Sequence, residues 1–347
     1  MRRREFLITL VLSATMPCAH AQQAGKLYRI AIVHPSASVA EMSGESPRFS
    51  ALLKELSRLG YVEGQNVVFE RYSGTGRSEP QYSELASEVV RHRPDLILAV
   101  SSRMVLNFKA ATNAIPIVGL MADPVAFGIV ESLAHPGGNI SGISTDAGPE
   151  FWGKRLDLLR EAAPGISRVG YLASRSLWDS SSFLASLQVA AQRMGISIIG
   201  PPLEGALQEP EYRRVFEAML QDHGDALIVS DQGENLTNRR LIIELATTSG
   251  LPTIYPYREQ VQVGGLMAYA PDLLDVYRRA AGYVDQVLKG TKAGEIPIYL
   301  AVKFDLVINM KAAKAIGLTI PPALLARAGE AVHESESGPY RPNSALV

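Results

Sequence analysis

The chain has 347 residues, 47% of them apolar and 20% charged, with a net charge of −1 and a single cysteine. These are the proportions of an ordinary globular protein with room for two medium-sized domains, each with its own core. They exclude a retained membrane span of about 20 apolar residues, an internal disulfide framework and the basic footprint on which nucleic-acid binding depends.

The first 21 residues, MRRREFLITLVLSATMPCAHA, differ in kind from the rest. A basic start, an apolar stretch from Phe6 to Leu12 and the Ala19-His20-Ala21 end have the order of a secretory signal peptide cut after Ala21. Arg3-Arg4-Glu5-Phe6-Leu7 is similar to a twin-arginine signal, a bacterial export address that places the product in the periplasm. Cys18 raises a lipoprotein reading, against which stand Pro17 and the missing run of small residues. Cleavage would remove the only cysteine and leave a net charge of about −3, so the mature chain is expected to hold no thiol nucleophile and no thiolate metal site.

From residue 28 a rhythm sets in. YRIAIV (28–33) reads as a buried strand and PRFSALLKELSRLG (47–60) as an amphipathic helix stopped by Gly60. NVVFERY (66–72) is a second strand. The next helix, 79–94, places Tyr82, Leu85, Ala86, Val89 and Val90 on one face before Pro94 ends it. DLILAV (95–100), a helix from about Ser102 to Thr112, and IPIVGL (115–120) complete the first series. Short apolar runs alternating with helices imply parallel β-α-β units with helices on both faces of a sheet.

The stretch MADPVAFGIVESLAHPGGNISGIS (121–144) interrupts that rhythm. Asp123 ends a buried strand, and Pro124 stiffens the turn that presents it. Gly137, Gly138 and Asn139 tolerate the left-handed backbone of a sharp reversal, and strand 140–145 then leads the chain into a second unit. That unit restarts the alternation with a helix bearing Trp152, Leu156, Leu159 and Ala163 on one face. RVGYLA (168–173), helix 178–194, ISIIG (196–200), helix 211–221, DALIVS (225–230), helix 235–249 and PTIY (252–255) follow. After GGLMAYAPD comes a strong helix with Pro271 at its start, Leu273, Tyr277, Ala280, Val284 and Val287 on one face, and Gly290 at its end. FDLVINMKAAKAIGL supplies a last strand and helix. The tail from about Gly329 is polar and without periodicity, and reads as disordered.

Four blocks of this sequence carry a family resemblance: LGYVEGQNVVFERY (59–72), IPIVGLMADPVAFGIVESLAHPGGNISGIS (115–144), LPTIYPYREQVQVGGLMAYAPDL (251–273) and FDLVINMKAAKAIGLTIPPALLARA (304–328). In order and spacing the chain resembles the exported substrate-binding proteins of ABC transporters with the type I periplasmic-binding fold, in particular the group that binds aromatic amino acids. The resemblance implies two Rossmann-like lobes with parallel sheets, joined by crossover strands, closing on a small ligand and docking on a membrane permease, with the protein a monomer. The lobes are expected at 26–145 (plus about 271–298) and 146–265, with about 299–325 added to the second or left to either lobe, and 329–347 as tail. Where aromatic amino-acid binders tend to carry Thr-Pro at the third helix, this chain has Ser101-Ser102-Arg103, and it has Tyr257-Arg258-Glu259 where several carry Gly-Glu. The identity of the ligand is therefore left open.

In open α/β sheets ligands bind beyond the carboxyl ends of the strands, which selects the candidate residues. Asp123 and Asp231 end a strand in each lobe and would accept from an ammonium group; Asp123 has the alternative of capping the turn after Pro124. Ser101 and Ser102 would donate to a carboxylate or serve as N-caps, and Ser36 follows the first strand by the same logic. Trp178, Tyr255 and Tyr257 offer aromatic walls or simple rim packing. Arg258 offers a carboxylate clamp or a surface ion pair, and Trp152 fits a core face. There is no G-x-S-x-G elbow, no phosphate-binding loop and no H-x-x-H or H-E-x-x-H pair, so the reading is of a binder rather than an enzyme, without cofactor or metal. Two facing carboxylates keep an acid–base enzyme as the runner-up. A ligand-sensing partner of a membrane receptor needs the same two-lobed hinge.

Overall fold

The computed structural model describes residues 26–332 apart from 78, 147, 148, 180 and 206. The signal-peptide reading of residues 1–21 and the tail from 333 onward lie outside the described residues.

Short apolar runs become strands, the central ones buried on both faces. In the first lobe β1 (Tyr28–His34), β2 (Val67–Ser73), β3 (Leu96–Val100), β4 (Ile117–Met121) and β5 (Ile140–Ser144) pair in the order β2-β1-β3-β4-β5, all parallel. In the second, β6 (Arg168–Leu172), β7 (Ser197–Ile199), β8 (Ala226–Val229), β9 (Thr253–Tyr255) and β10 (Met267–Pro271) repeat that order as β7-β6-β8-β9-β10, again parallel. The remaining strands divide between the sheets. β11 (Tyr299–Leu300) runs parallel beside β5, β12 (Phe304–Asn309) runs antiparallel beside β10, and β13 (Glu330–Val332) runs parallel beside β12.

The stretch from 299 onward, whose lobe the sequence leaves open, divides: Tyr299 and Leu300 belong to the first sheet, and the second lobe regains the chain at Phe304. The tail expected from 329 opens with a strand, because Glu330–Val332 pairs with Val307–Asn309 along an edge that would otherwise be free.

Each sheet is covered on both faces. One face of the first sheet packs on the helix Pro47–Arg58, whose Phe49, Leu52 and Leu56 meet Val276, Tyr277, Ala280 and Val284 of the returning helix Leu273–Leu288. Burying each such side chain stabilises by roughly 1.5–3 kcal/mol before entropy is charged. That helix begins at Leu273, with Asp272 accepting from the Asp275 amide at 3.1 Å, while Pro271 still belongs to β10.

The turn at 136–139 works partly as read. Gly137 and Gly138 hold φ of 70° and 57°, but Asn139 is not left-handed. Its amide group donates instead to the carbonyls of Ile115 (2.7 Å) and Thr112 (3.2 Å), fixing the start of β5 against the loop before β4. Further along β5, Gly142 pairs with Gly119 of β4 at φ 142°, and a Cβ there would lie 2.0 Å from the Gly119 carbonyl oxygen.

The chain passes between the lobes three times: after β5, between β10 and the helix Leu273–Leu288, and between β11 and β12. The last two crossings are tied together, since Asp272 donates its amide to the Lys303 carbonyl at 3.1 Å and pairs with the Lys303 ammonium at 3.2 Å.

Candidate functional site

Between the lobes lies a cavity of about 400 Å³. Strand ends from both sheets converge on it, as the parallel topology requires. The first lobe presents His34 at the end of β1 and Ser36 just beyond it, Ser101 to Arg103 after β3, and Ala126 and Phe127 after β4, with Arg48 beside them. The second presents Ser176 and Leu177 after β6, Asp231 to Glu234 after β8, and Tyr257 after β9.

The first-lobe wall is cationic. Arg48 stands in the first turn of the helix Pro47–Arg58 and Arg103 in the first turn of Ser102–Ala111. A cation there opposes the positive end of the helix dipole, so neither position is explained by helix stability. The Arg48 side chain is only 12% exposed and its guanidinium lies over the rings of Phe49 and Tyr277 at 5.7 and 6.0 Å. Its Nε and the Ser36 hydroxyl are buried with no hydrogen-bond partner among the described residues. Buried polar groups are normally satisfied, so two orphaned donors on one cavity wall leave room for an acceptor.

His34 is held neutral. Its Nδ1 accepts from the amides of Ser36 (3.0 Å) and Ala37 (2.8 Å), which puts the proton on Nε2. Burial, reinforced by the Arg48 charge, keeps its pKa well below the ordinary value.

Ser101 carries backbone strain, with φ 87° and ψ 145°, a region that residues other than glycine rarely enter. Its amide donates to the Leu120 carbonyl at 2.8 Å, and its hydroxyl caps the following helix by accepting from Met104 at 3.3 Å. The Ser102 hydroxyl is tied to the backbone of Ala122, accepting from its amide at 2.9 Å and reaching its carbonyl at 3.3 Å. The loops after β3 and β4 are thereby locked together at the cavity edge.

The second-lobe wall is anionic. Burial raises the pKa of Asp231, and the nearby Arg155 charge partly offsets that rise. Tyr257 donates its hydroxyl to the Asp231 carbonyl at 3.2 Å. Gln232 fixes the loop by bonding the amide (2.7 Å) and hydroxyl (2.6 Å) of Ser174.

Contacts across the cleft hold the lobes together. Arg103 donates to the Ser176 hydroxyl at 2.6 Å, Arg48 approaches Glu259 at 3.8 Å, and a Cβ on Gly233 would lie 3.2 Å from the Pro35 ring. This is a shut arrangement of the two lobes.

Of the residues singled out from sequence, Ser36, Ser101, Ser102, Asp231 and Tyr257 line the cavity. Asp123, Trp178 and Tyr255 are not brought to it. The Asp123 carboxylate accepts from the amides of Val125 (3.2 Å) and Ala126 (3.0 Å), the capping alternative. Trp178 packs against the second-lobe core with its ring 5.7 Å from Tyr171, and it is Ser176 and Leu177 of the same short helix that face the cavity. Tyr255 is buried in the core on the other face of that sheet. Arg258 pairs with Glu330 and Asp305 at 3.3 and 3.7 Å, and Trp152 is a core residue. His34, Arg48, Arg103 and Gln232 were not anticipated. The one local signal for the two arginines was a cation in the first turn of a helix. Among the described residues there is no cluster of His, Cys, Asp or Glu able to hold a metal ion.

A model of the family described as ABC transporter substrate binding protein matches residues 38–332. A tyrosine-binding protein of Clostridioides difficile is 25% identical over 288 residues, covering 83% of this chain and 79% of the relative. A conserved domain protein from Vibrio cholerae superimposes with a TM-score of 0.79 at 24% identity, over 88% of this chain and all of that one. A Streptococcus pneumoniae ABC domain in complex with L-Trp gives 0.78 at 22% identity, over 88% of this chain and 99% of that one.

Proposed function

Since the chain belongs to the ABC transporter substrate-binding protein family, we propose that its ligand is an amino acid, held between the lobes with its carboxylate on the first and its ammonium on the second. The observation that carries this reading is the opposition of charge across one cavity. Arg48 and Arg103 stand on one wall, Asp231 and Glu234 on the other, so the charged side chains sum to zero, as a zwitterion requires. The orphaned Arg48 Nε and Ser36 hydroxyl match a carboxylate. Phe127, Leu106, Leu177 and Leu236 supply an apolar wall for a side chain. A volume of about 400 Å³ lies toward the small end of ligand pockets, which run from about 300 to 1,000 Å³. The tyrosine-binding relative and the structure solved with L-Trp favour an aromatic side chain for that wall.

On this reading the protein is exported through its signal peptide, cleaved after Ala21, and works in the periplasm as a monomer. There it delivers its ligand unchanged to a membrane permease.

The test is a thermal-shift screen of the protein against the common amino acids. A ligand at 100 times its dissociation constant stabilises by about 2.7 kcal/mol, and L-tyrosine or L-tryptophan is expected to give that shift. A stabilising sugar, with no amino acid active, would overturn the reading.

A further inference from the structure

Alternation along β1 sends Ile30 and Ile32 to one face of the first sheet, into the core covered by the helices Pro47–Arg58 and Leu273–Leu288. Position 34 continues that series, and the pattern calls there for another aliphatic side chain. The chain has His34 instead, 4% exposed, in an edge-to-face pair with Phe49 at 5.8 Å between ring centroids. An imidazole buried in this way costs free energy unless its nitrogens find partners.

The backbone accounts for one nitrogen. The His34 carbonyl accepts from the Gly74 amide at 2.8 Å, which fixes the strand end. The chain then turns so that the amides of Ser36 and Ala37 both donate to Nδ1, at 3.0 and 2.8 Å. Amide groups of the backbone can only donate, so Nδ1 keeps its lone pair, and the ring is neither the imidazolium nor the Nδ1–H tautomer. Nε2, across the ring, holds the proton and makes no hydrogen bond among the described residues. His34 belongs to the cavity wall on which the Ser36 hydroxyl and Arg48 Nε also lack a partner. Three donors thus stand together, and only Arg48 brings a charge. That charge also opposes a second proton on the ring. The other titratable groups on the cavity are Tyr82, Arg103, Asp231, Glu234, Tyr257 and Tyr277.

We propose that His34 is a ligand-binding residue: its neutral ring, locked by the two backbone amides, presents Nε2–H to an acceptor atom of the ligand. It can donate at that point and cannot accept, so it selects for a lone pair there. Because the ring stays neutral, it adds a donor without disturbing the balance of charge between the two walls. The proposal deepens the amino-acid reading and rests on it for the identity of the acceptor, a carboxylate oxygen.

Two-dimensional 15N–1H spectra of the histidine rings test this on the intact protein, with His34 assigned by its loss in His34→Gln. From about pH 6 to 8, a window that spans the ordinary histidine pKa, the free protein should show the Nε2–H tautomer throughout. An imidazolium or an Nδ1–H ring would overturn the proposal. Saturating L-tryptophan or L-tyrosine should then carry the Nε2 proton downfield and slow its exchange. His34→Phe should weaken calorimetric affinity by about tenfold; should it fail to fold, the ring resonances of the wild type decide without it. An Nε2 proton unmoved by a bound amino acid, even where His34→Phe binds less well, makes His34 a structural residue and sinks the idea. If neither amino acid binds the wild type, the amino-acid reading falls, and titration with acetate decides the role of His34. A saturable downfield movement of the Nε2 proton upholds the donor, and its absence removes it.

Discussion

The two lobes are built on one plan and differ where it matters for binding. Both sheets run in the order 2-1-3-4-5 and aim their strand ends at the same cavity. The first lobe lines it with Arg48, Arg103 and a neutral His34, the second with Asp231 and Glu234. Their edges differ as well: the first sheet stays parallel to its last strand, whereas the second turns antiparallel at β12 and ends in β13. The sheets repeat because alternating apolar runs and amphipathic helices have few stable packings. The loops at the strand ends carry no such constraint, so charge could diverge there, one sign to each lobe. A zwitterionic ligand of the proposed kind would reach both walls only with the cleft shut, which would couple occupancy to closure.

Glycines at sheet positions separate the lobes most sharply. Gly142→Ala in the first sheet forces a Cβ against the Gly119 backbone at a φ that side chains avoid. A loss of about 4 kcal/mol or more is expected, seen as failure to fold or a collapse of the urea midpoint. Gly170→Ala in the second sheet meets the Met219 sulfur at 2.7 Å, the end of a flexible side chain that can yield. Its cost should stay near 1–3 kcal/mol. Equal losses would break the contrast.

Removing charge from each wall comes next. Arg48→Met should weaken L-tyrosine or L-tryptophan binding by about 10- to 150-fold in calorimetry, the equivalent of 1.5–3 kcal/mol for a hydrogen bond to a charged group. Unchanged affinity would move the carboxylate site elsewhere.

The two strand-end aspartates offer a paired test. Asp231→Asn should cost about tenfold or more in affinity. Asp123→Asn should leave affinity alone, and because asparagine also caps turns well, even its stability should change by less than about 1 kcal/mol. Equal loss of binding in both would place Asp123 in the site after all.

Smallest is the acid response of the first lobe. Because the folded pKa of His34 is depressed, the unfolded chain takes up a proton first as pH falls below about 6.5. Stability is thus lost downward from that value toward the folded pKa, by at most about 1.4 kcal/mol per pH unit. Denaturant melts at pH 7 and 5.5 should show this loss in the wild type and less of it in His34→Gln. A steeper loss in the variant would reverse the sign of the argument.

Periodicity made the two α/β units, the helix Leu273–Leu288 and the strand after the Pro-Gly-Gly-Asn turn legible in the sequence, because each reflects a local pattern of apolar spacing and turn chemistry. Strand-end logic likewise pointed to Ser36, Ser101, Ser102, Asp231 and Tyr257, which line the cavity. What sequence position could not decide is which way a side chain points once its loop is packed. Asp123 and Asp231 look alike as strand ends, yet one turns back onto the amides of its own loop and the other faces the cavity. Trp178 and Leu177 are neighbours on a single helical turn, and only the packing of that turn on Tyr171 selects Leu177 for the cavity. Arg48 and Arg103 stand in the first turns of helices far apart in the chain, and the fold carries both to one wall of the cleft. Local pattern determined the elements, whereas long-range packing, which no local window of sequence contains, decided which charges face one another.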